Sequence, residues 1–385
     1  MKIAVLGAGM VGRAIALDLA KEFAVTSFDL DAENLLELKG RNADIQTAGA
    51  DLSQFGEYKN WFSPFDMVVT AVPGFMGYKT LEAVIDTGKD VVDISFFPED
   101  ALQLDQLTRQ KGITAITDCG VAPGISNLIL GRYNEEMKIS SFECYVGGLP
   151  AHPKPPFYYK APFSPVDVIQ EYIRPARLVE NGKIVTKPAL SERELIQFDE
   201  VGELEAFNTD GLRSLIYSMR HIPDMKEKTL RYPGHIDLII ALKQAGFFDT
   251  TALRINGADI TALEFTSKLL ANEWKPEPDE EEFTVMKVII KGEARLPDLP
   301  TGQAGGQGKT IEYNLLDRYD AATKTSSMAR TTGYTCTAAV NLIAKGIFIK
   351  KGLYPPELVG KDKNCFDFVM DYLKKRNIAW KKSVE

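Results

Sequence analysis

Three glycines and one aspartate near the start of the chain carry the first chemical signal. Gly7, Gly9 and Gly12 stand in the pattern G-x-G-x-x-G, and Asp29 follows 22 positions after the first of them (29 − 7). In such a pattern the first glycine permits a tight turn. The second lets backbone approach a pyrophosphate, and the third lets a helix pack on its strand. The helix start around Met10 and Val11 offers free N–H groups and a positive dipole end to phosphates. An acidic residue about 20 positions on accepts a ribose 2′-hydroxyl. A carboxylate at that place repels a 2′-phosphate, so the expected cofactor is NAD rather than NADP.

The pattern alone is a weak signal, and its setting gives it weight. Residues 1–6, MKIAVL, form an apolar run directly before the turn, and apolar residues recur at helical spacing over 13–20. A second run, 24–28, ends in Asp29. Further apolar runs at 43–48, 65–72, 90–95 and 113–118 alternate with helical segments at 77–87 and 101–111. Continuous apolar strands between helices indicate an α/β fold with a doubly wound parallel sheet, buried on both faces. In such sheets the ligand lies beyond the carboxyl ends of the strands. That topology gathers the glycine turn, Asp29, Asp51, Leu52, Val72, Pro73, Ser95, Phe96 and residues 118–124 on one rim. Among these, Asp51, Leu52, Val72, Pro73, Val121 and Pro123 are expected against the cofactor.

The chain has 385 residues, enough for two or three domains, and a net charge of −8 that disfavours a nucleic-acid backbone as partner. No apolar stretch approaches the ~18 residues of a membrane span. Strand one begins at once, with no signal layout, so a cytoplasmic protein is expected. Cys119, Cys144, Cys336 and Cys365 are far apart in sequence and read as reduced thiols. Three scattered histidines, His152, His221 and His235, give no metal centre.

After residue 124 the character changes. A strand over 140–150 ends in Gly147-Gly148-Leu149-Pro150, and a proline-rich stretch carries Phe157, Tyr158, Tyr159 and Phe163. Alternating runs at 282–294 and 310–319 flank a Gly/Gln-rich segment, 300–309, expected as a hairpin loop. This reads as an α+β unit on a mixed or antiparallel sheet. It is expected to span 124–329, to bind substrate, and to make a homodimer or larger homo-oligomer. Residues 1–123 and 330–385 would form the split nucleotide domain, with an alanine-rich helix at 334–345 packing back on it.

The motifs GAGMVG (7–12), TAVPG (70–74), DCGVAPG (118–124), YVGGLP (145–150), FSP (163–165), FNTDG (207–211), TLRYPGH (229–235), ARTTGYT (329–335) and PPE (355–357) together resemble the saccharopine dehydrogenase family in its broad sense. The resemblance implies a Rossmann domain with the substrate domain inserted into it. It also implies that Ser95, Phe96, Thr229, Leu230 and Arg231 hold the substrate and that Ser164 touches the cofactor. Saccharopine reductases usually carry an aspartate where Ala122 stands, an arginine where Thr209 stands and a cysteine where Val146 stands. Losing those polar groups suggests a substrate smaller than a tri-acid. FNTDGLRSL and EKTLRYPGH resemble the lysine 6-dehydrogenase branch. That branch oxidises the ε-carbon of L-lysine with NAD, giving ammonia and 2-aminoadipate 6-semialdehyde, which cyclises to piperideine-6-carboxylate.

Hydride loss from an amine requires its neutral form, so a rate rising into the alkaline range is expected. A base must take up the protons, and Asp93, Asp118 and His235 are the candidates, with His152 a further histidine of the second domain. Each has a plainer use. The aspartates could bond loop backbone, and His235 could be a structural histidine at a helix start. Arg231 would grip an α-carboxylate in bidentate fashion, or pair with Glu227 or Asp237 at the surface. The close rival is a saccharopine-type or carboxynorspermidine-type reductase joining an amine and an aldehyde. A distant one is a non-enzymatic NAD sensor.

Overall fold

The computed structural model describes residues 1–277, 279–295 and 308–385. The first half follows strand–helix alternation: β1 (Lys2–Leu6), α1 (Met10–Leu19), β2 (Ala24–Asp29), α2 (Ala32–Arg41), β3 (Gln46–Gly49), α3 (Tyr58–Phe62), β4 (Met67–Thr70), α4 (Gly74–Asp86), β5 (Asp90–Asp93), α5 (Asp105–Gln110) and β6 (Thr114–Ile116). The sheet is parallel throughout, in the order β6-β5-β4-β1-β2-β3, with a seventh strand, Gly352–Tyr354, on the outer edge of β6. This is the Rossmann order, whose switch point lies between β1 and β4. Alternate residues of β1 enter separate cores. Ile3 and Val5 pack on one face, and Ala4 and Leu6 on the other, which explains the unbroken apolar run.

The chain then leaves through α6 (Ile125–Glu136) into a long strand, β7 (Met137–Pro150), and after it comes α7 (Pro165–Ile173). β7 sits inside a nine-stranded mixed sheet. It pairs in parallel with Asp224–Arg231 and antiparallel with Glu282–Ala294. Ala176–Glu180 and Lys183–Lys187 form an antiparallel hairpin. The expected loop 300–309 falls mostly outside the described residues. Its returning strand is Gly308–Arg318.

The helix expected over 334–345 begins earlier, at Ser327, where the Ser326 side chain caps it. It lies against α1, close enough that a Cβ on Gly333 would come within 3.3 Å of Ile15. Asp18 of α1 fastens this return. Its buried carboxylate accepts from Thr337 Oγ1 at 2.7 Å, Tyr372 OH at 2.8 Å and Arg376 Nε at 2.8 Å. The tail does not all stay with the first sheet. Trp380–Val384 crosses over and pairs with Gly308–Arg318 in the mixed sheet. None of the described helices is long and apolar enough to cross a membrane.

Candidate active site

The glycine turn has the shape its spacing requires. Gly7 has φ +100°, and a Cβ there would meet Ala71 O at 2.3 Å. A Cβ on Gly12 would meet Gly7 O at 2.0 Å, whereas Gly9 faces open space within 4 Å. No side chain caps α1. Its first N–H groups and the open ground over Gly9 therefore suit a pyrophosphate, with Met10 and Val11 as the first helical residues. Asp29 closes β2 beside that turn. Its Oδ2 accepts from Ala8 N–H at 2.6 Å and its Oδ1 from Asp31 N–H at 2.8 Å. A carboxylate has about four acceptor sites, so both oxygens keep capacity for ribose hydroxyls. Arg13, in the first turn of α1, is paired with Glu37 at 2.6 Å. The donor set thus fits a dinucleotide.

The rest of the rim follows the strand ends. Asp51, after β3, closes its own turn through Ser53, and these bonds hold its carboxyl below the ordinary range. Leu52 is buried, with its carbonyl accepting from Tyr58 OH. Val72 and Pro73 lead into α4, whose first N–H, on Gly74, donates to Asp167 of α7 at 3.1 Å. Ser164 caps α7 beside this junction. Asp167, from whose N–H the Ser164 side chain accepts, thereby links the start of α7 to the start of α4. Val121 and Pro123 lie in a loop folded so tightly that a Cβ on Gly124 would meet Gly120 O at 1.7 Å.

The three candidate bases are buried and committed. Asp93 is fully enclosed and accepts from Thr70 Oγ1 at 2.6 Å, Ser95 N–H at 3.2 Å and Thr117 Oγ1 at 3.3 Å. Burial outweighs these bonds and pushes its carboxyl up to about 6. Asp118 forms a buried ion pair with Arg213 at 2.6 Å. The Arg213 guanidinium also lies 4.6 Å from the Phe97 ring centre and 5.2 Å from that of Phe96. His235 bonds Phe157 O through Nδ1 at 2.8 Å and Tyr172 OH through Nε2 at 3.0 Å. A carbonyl only accepts, so Nδ1 carries the proton and Nε2 accepts from tyrosine. Burial, and then the Arg231 charge, bring this imidazole down to about 3. It is a neutral structural histidine in an aromatic core with Tyr159 and Trp274.

Arg231 is not a surface residue, and neither Glu227 nor Asp237 is its partner. It is 2% exposed, bonded to Glu171 at 2.7 Å, to Tyr172 OH at 3.0 Å and to Leu230 O at 2.9 Å. It stacks 4.3 Å from the Tyr159 ring centre. Its charge is thus already balanced within the protein. The Leu230 side chain is in the core. Thr229 reaches Thr209 hydroxyl to hydroxyl at 3.0 Å, and Thr209 Oγ1 donates to Glu227 at 2.8 Å. Burial pushes the Glu227 carboxyl up to about 8. The cluster around Thr209 therefore consists of two hydroxyls and a carboxyl that burial keeps protonated above its ordinary range.

Sequence reasoning missed Arg174 and Glu171, and it named Glu227 only as a surface partner of Arg231. Arg213 lay within a quoted motif, FNTDGLRSL, and its charge was the signal that could have found it. All four cysteines are buried, and burial raises the Cys119 thiol, so it is no nucleophile. Among the described residues no cluster of His, Cys, Asp and Glu could hold a metal ion.

A Rossmann domain with an open glycine turn, joined to a mixed-sheet domain that closes over its strand ends, defines a two-domain dinucleotide-binding protein. The model of the "Saccharopine dehydrogenase NADP binding domain" matches residues 3–116, and that of the "Saccharopine dehydrogenase C-terminal domain" matches residues 120–378. The chain belongs to the saccharopine dehydrogenase family. It is 26% identical over 270 residues to an alpha-aminoadipic semialdehyde synthase of Arabidopsis thaliana, covering 65% of this chain and 25% of that protein. It is 26% identical over 382 residues to the saccharopine dehydrogenase [NADP(+), L-glutamate-forming] of Saccharomyces cerevisiae, covering 82% and 85%. The chain thus spans only about a quarter of the plant protein's length. The apo structure of an L-Glu-forming saccharopine dehydrogenase from S. cerevisiae superposes with a TM-score of 0.78 at 21% identity, covering 100% and 99%, which shows the shared fold.

Proposed function

We propose that the protein is an NAD-dependent oxidoreductase that oxidises the ε-carbon of L-lysine and releases ammonia. The observation that carries this reading is the subsite at Thr209. Its hydroxyl bonds Thr229 and Glu227, so among the described residues it is hydroxyls and an acid, not a cation, that stand at this position. A site built for a tri-acid needs such charge. NAD is favoured by Asp29 and its place beside Ala8.

The bound dinucleotide supplies the hydride acceptor; the protein positions the amine and manages protons. The C6–H bond of neutral lysine breaks as hydride, and the nitrogen lone pair forms the C=N bond. Water then adds, and C–N cleavage yields aldehyde and ammonia. Asp118 and His235 are unsuited to the base role, one by its ion pair and the other by its fixed neutral tautomer. Asp93, whose carboxyl burial pushes up to about 6 and which accepts from the Ser95 N–H, is our candidate for proton uptake. The Ser95 hydroxyl is buried beside that carboxyl and bonds it.

The second reading is a reductase forming or cleaving a secondary amine, which the names of the relatives favour. A screen of L-lysine, saccharopine, diamines and other amino acids with NAD and NADP separates the two. Lysine-dependent NADH formation supports the first; saccharopine-dependent turnover alone supports the second. Assembly as a homo-oligomer belongs to the same proposal, and light scattering tests it.

A further inference from the structure

Four arginines gather where the mixed-sheet domain meets the rim beyond β4 and β5. Three are balanced. Arg177 holds Asp210 through Nε and Nη2, both at 2.8 Å. Arg213 holds Asp118, and Arg231 holds Glu171. The fourth, Arg174, follows α7 and is half-buried. Among the described residues its guanidinium makes no ion pair, and its Nη1 is buried without a hydrogen bond. The neighbouring carboxylates are engaged elsewhere: Asp210 with Arg177, Glu171 with Arg231, and Asp167 with the Gly74 N–H.

The guanidinium lies 5.4 Å from the Phe96 ring centre. Phe96 follows Ser95 on the loop after β5, the side where a nicotinamide ring and its substrate would meet. Stacking on a ring leaves the edge of the guanidinium, with its forked donors, free to meet a planar anion. The buried Nη1, with no partner of its own, is a donor that an anion at this junction can take up.

We infer that Arg174, stacked on Phe96 and without a carboxylate of its own, is the anchor for the substrate's carboxylate, in place of the already balanced Arg231. The ligand class is an amine bearing a carboxylate, and the choice of lysine among such amines rests on the function proposed above. Arg174 makes carboxylated amines better substrates than their decarboxylated counterparts.

The test compares L-lysine with 1,5-diaminopentane, which differs only by the carboxylate, in wild type, Arg174→Gln and Arg174→Lys. Losing charged hydrogen bonds of about 1.5–3 kcal/mol raises the lysine KM of Arg174→Gln about 10- to 150-fold, with kcat nearly unchanged. The KM for the diamine stays as in wild type, and Arg174→Lys recovers part of the lysine affinity. Equal losses on both substrates, or no loss on lysine, overturn the inference. So does a wild-type enzyme that prefers the diamine. If wild type turns over saccharopine and not lysine, the proposed function falls. Arg174→Gln is then read on saccharopine, where an unchanged KM overturns the inference and a raised one supports it.

Discussion

Cofactor choice turns on one side chain, and Asp29→Ser tests it. The carboxylate of Asp29 stands 2.6 Å from the Ala8 N–H and so beside the turn that holds the pyrophosphate. A 2′-phosphate would bring like charge close to it. Two unit charges ~4 Å apart repel by about 1 kcal/mol in water and about 4 kcal/mol at an effective dielectric of 20. Asp29 is half-exposed, and a middle value of about 2 kcal/mol corresponds to roughly thirtyfold in affinity. Serine also loses a charged bond to the ribose, about 1.5 kcal/mol or roughly tenfold against NAD. The ratio of kcat/KM for NAD over NADP should therefore fall about 300-fold in Asp29→Ser. Initial rates of reduced-nucleotide formation, with each cofactor varied in turn, measure it. A wild-type preference for NADP, or an unchanged ratio in the variant, refutes the reasoning. The yeast relative carries NADP(+) in its name, so this is where the chain is expected to part from it.

Asp93→Asn should lower kcat about a hundredfold and remove the acidic limb of the pH–rate profile, which in wild type rises through about 6 as the carboxyl ionises. Asp18 lies below its ordinary value because the Arg376 and Thr337 bonds outweigh its burial. Its stabilisation is complete above the unfolded value of ~3.9 and fades as pH falls through the lower folded value. Arg376→Met should cost about 3 kcal/mol at neutral pH in denaturant titrations, and less near the acid limit. Glu227 is raised, so the folded protein binds its proton more tightly and stability declines as pH climbs from ~4.5 to about 8. Glu227→Gln should accordingly gain Tm relative to wild type at about pH 9 compared with about pH 5, by calorimetry.

What could be read from sequence was what local spacing encodes. The glycine turn, Asp29 and the strand ends of the first domain are set by short-range order, and their rim is a consequence of topology. Charged partners were not legible, because they are brought together by the fold. Asp118 meets Arg213 across 95 positions, and Arg231 meets Glu171 across 60. Without those partners, Arg231 reads as a carboxylate anchor or a mate for Glu227 or Asp237, and Asp118 as a base or a carboxylate bonding loop backbone. Trp380–Val384 escaped notice for a different reason. It is an exposed edge strand rich in lysine, with no buried face to create a pattern of alternation. The early start of the Ser327 helix depended on a serine cap that a run of serines and threonines obscures.

The most direct test of the whole account is to supply L-lysine and NAD to the purified protein and quantify NADH and ammonia together. The account predicts one NADH and one ammonia for each lysine consumed, with a faster rate at alkaline pH. NADH formation from saccharopine with glutamate as co-product, and none from lysine, would contradict it.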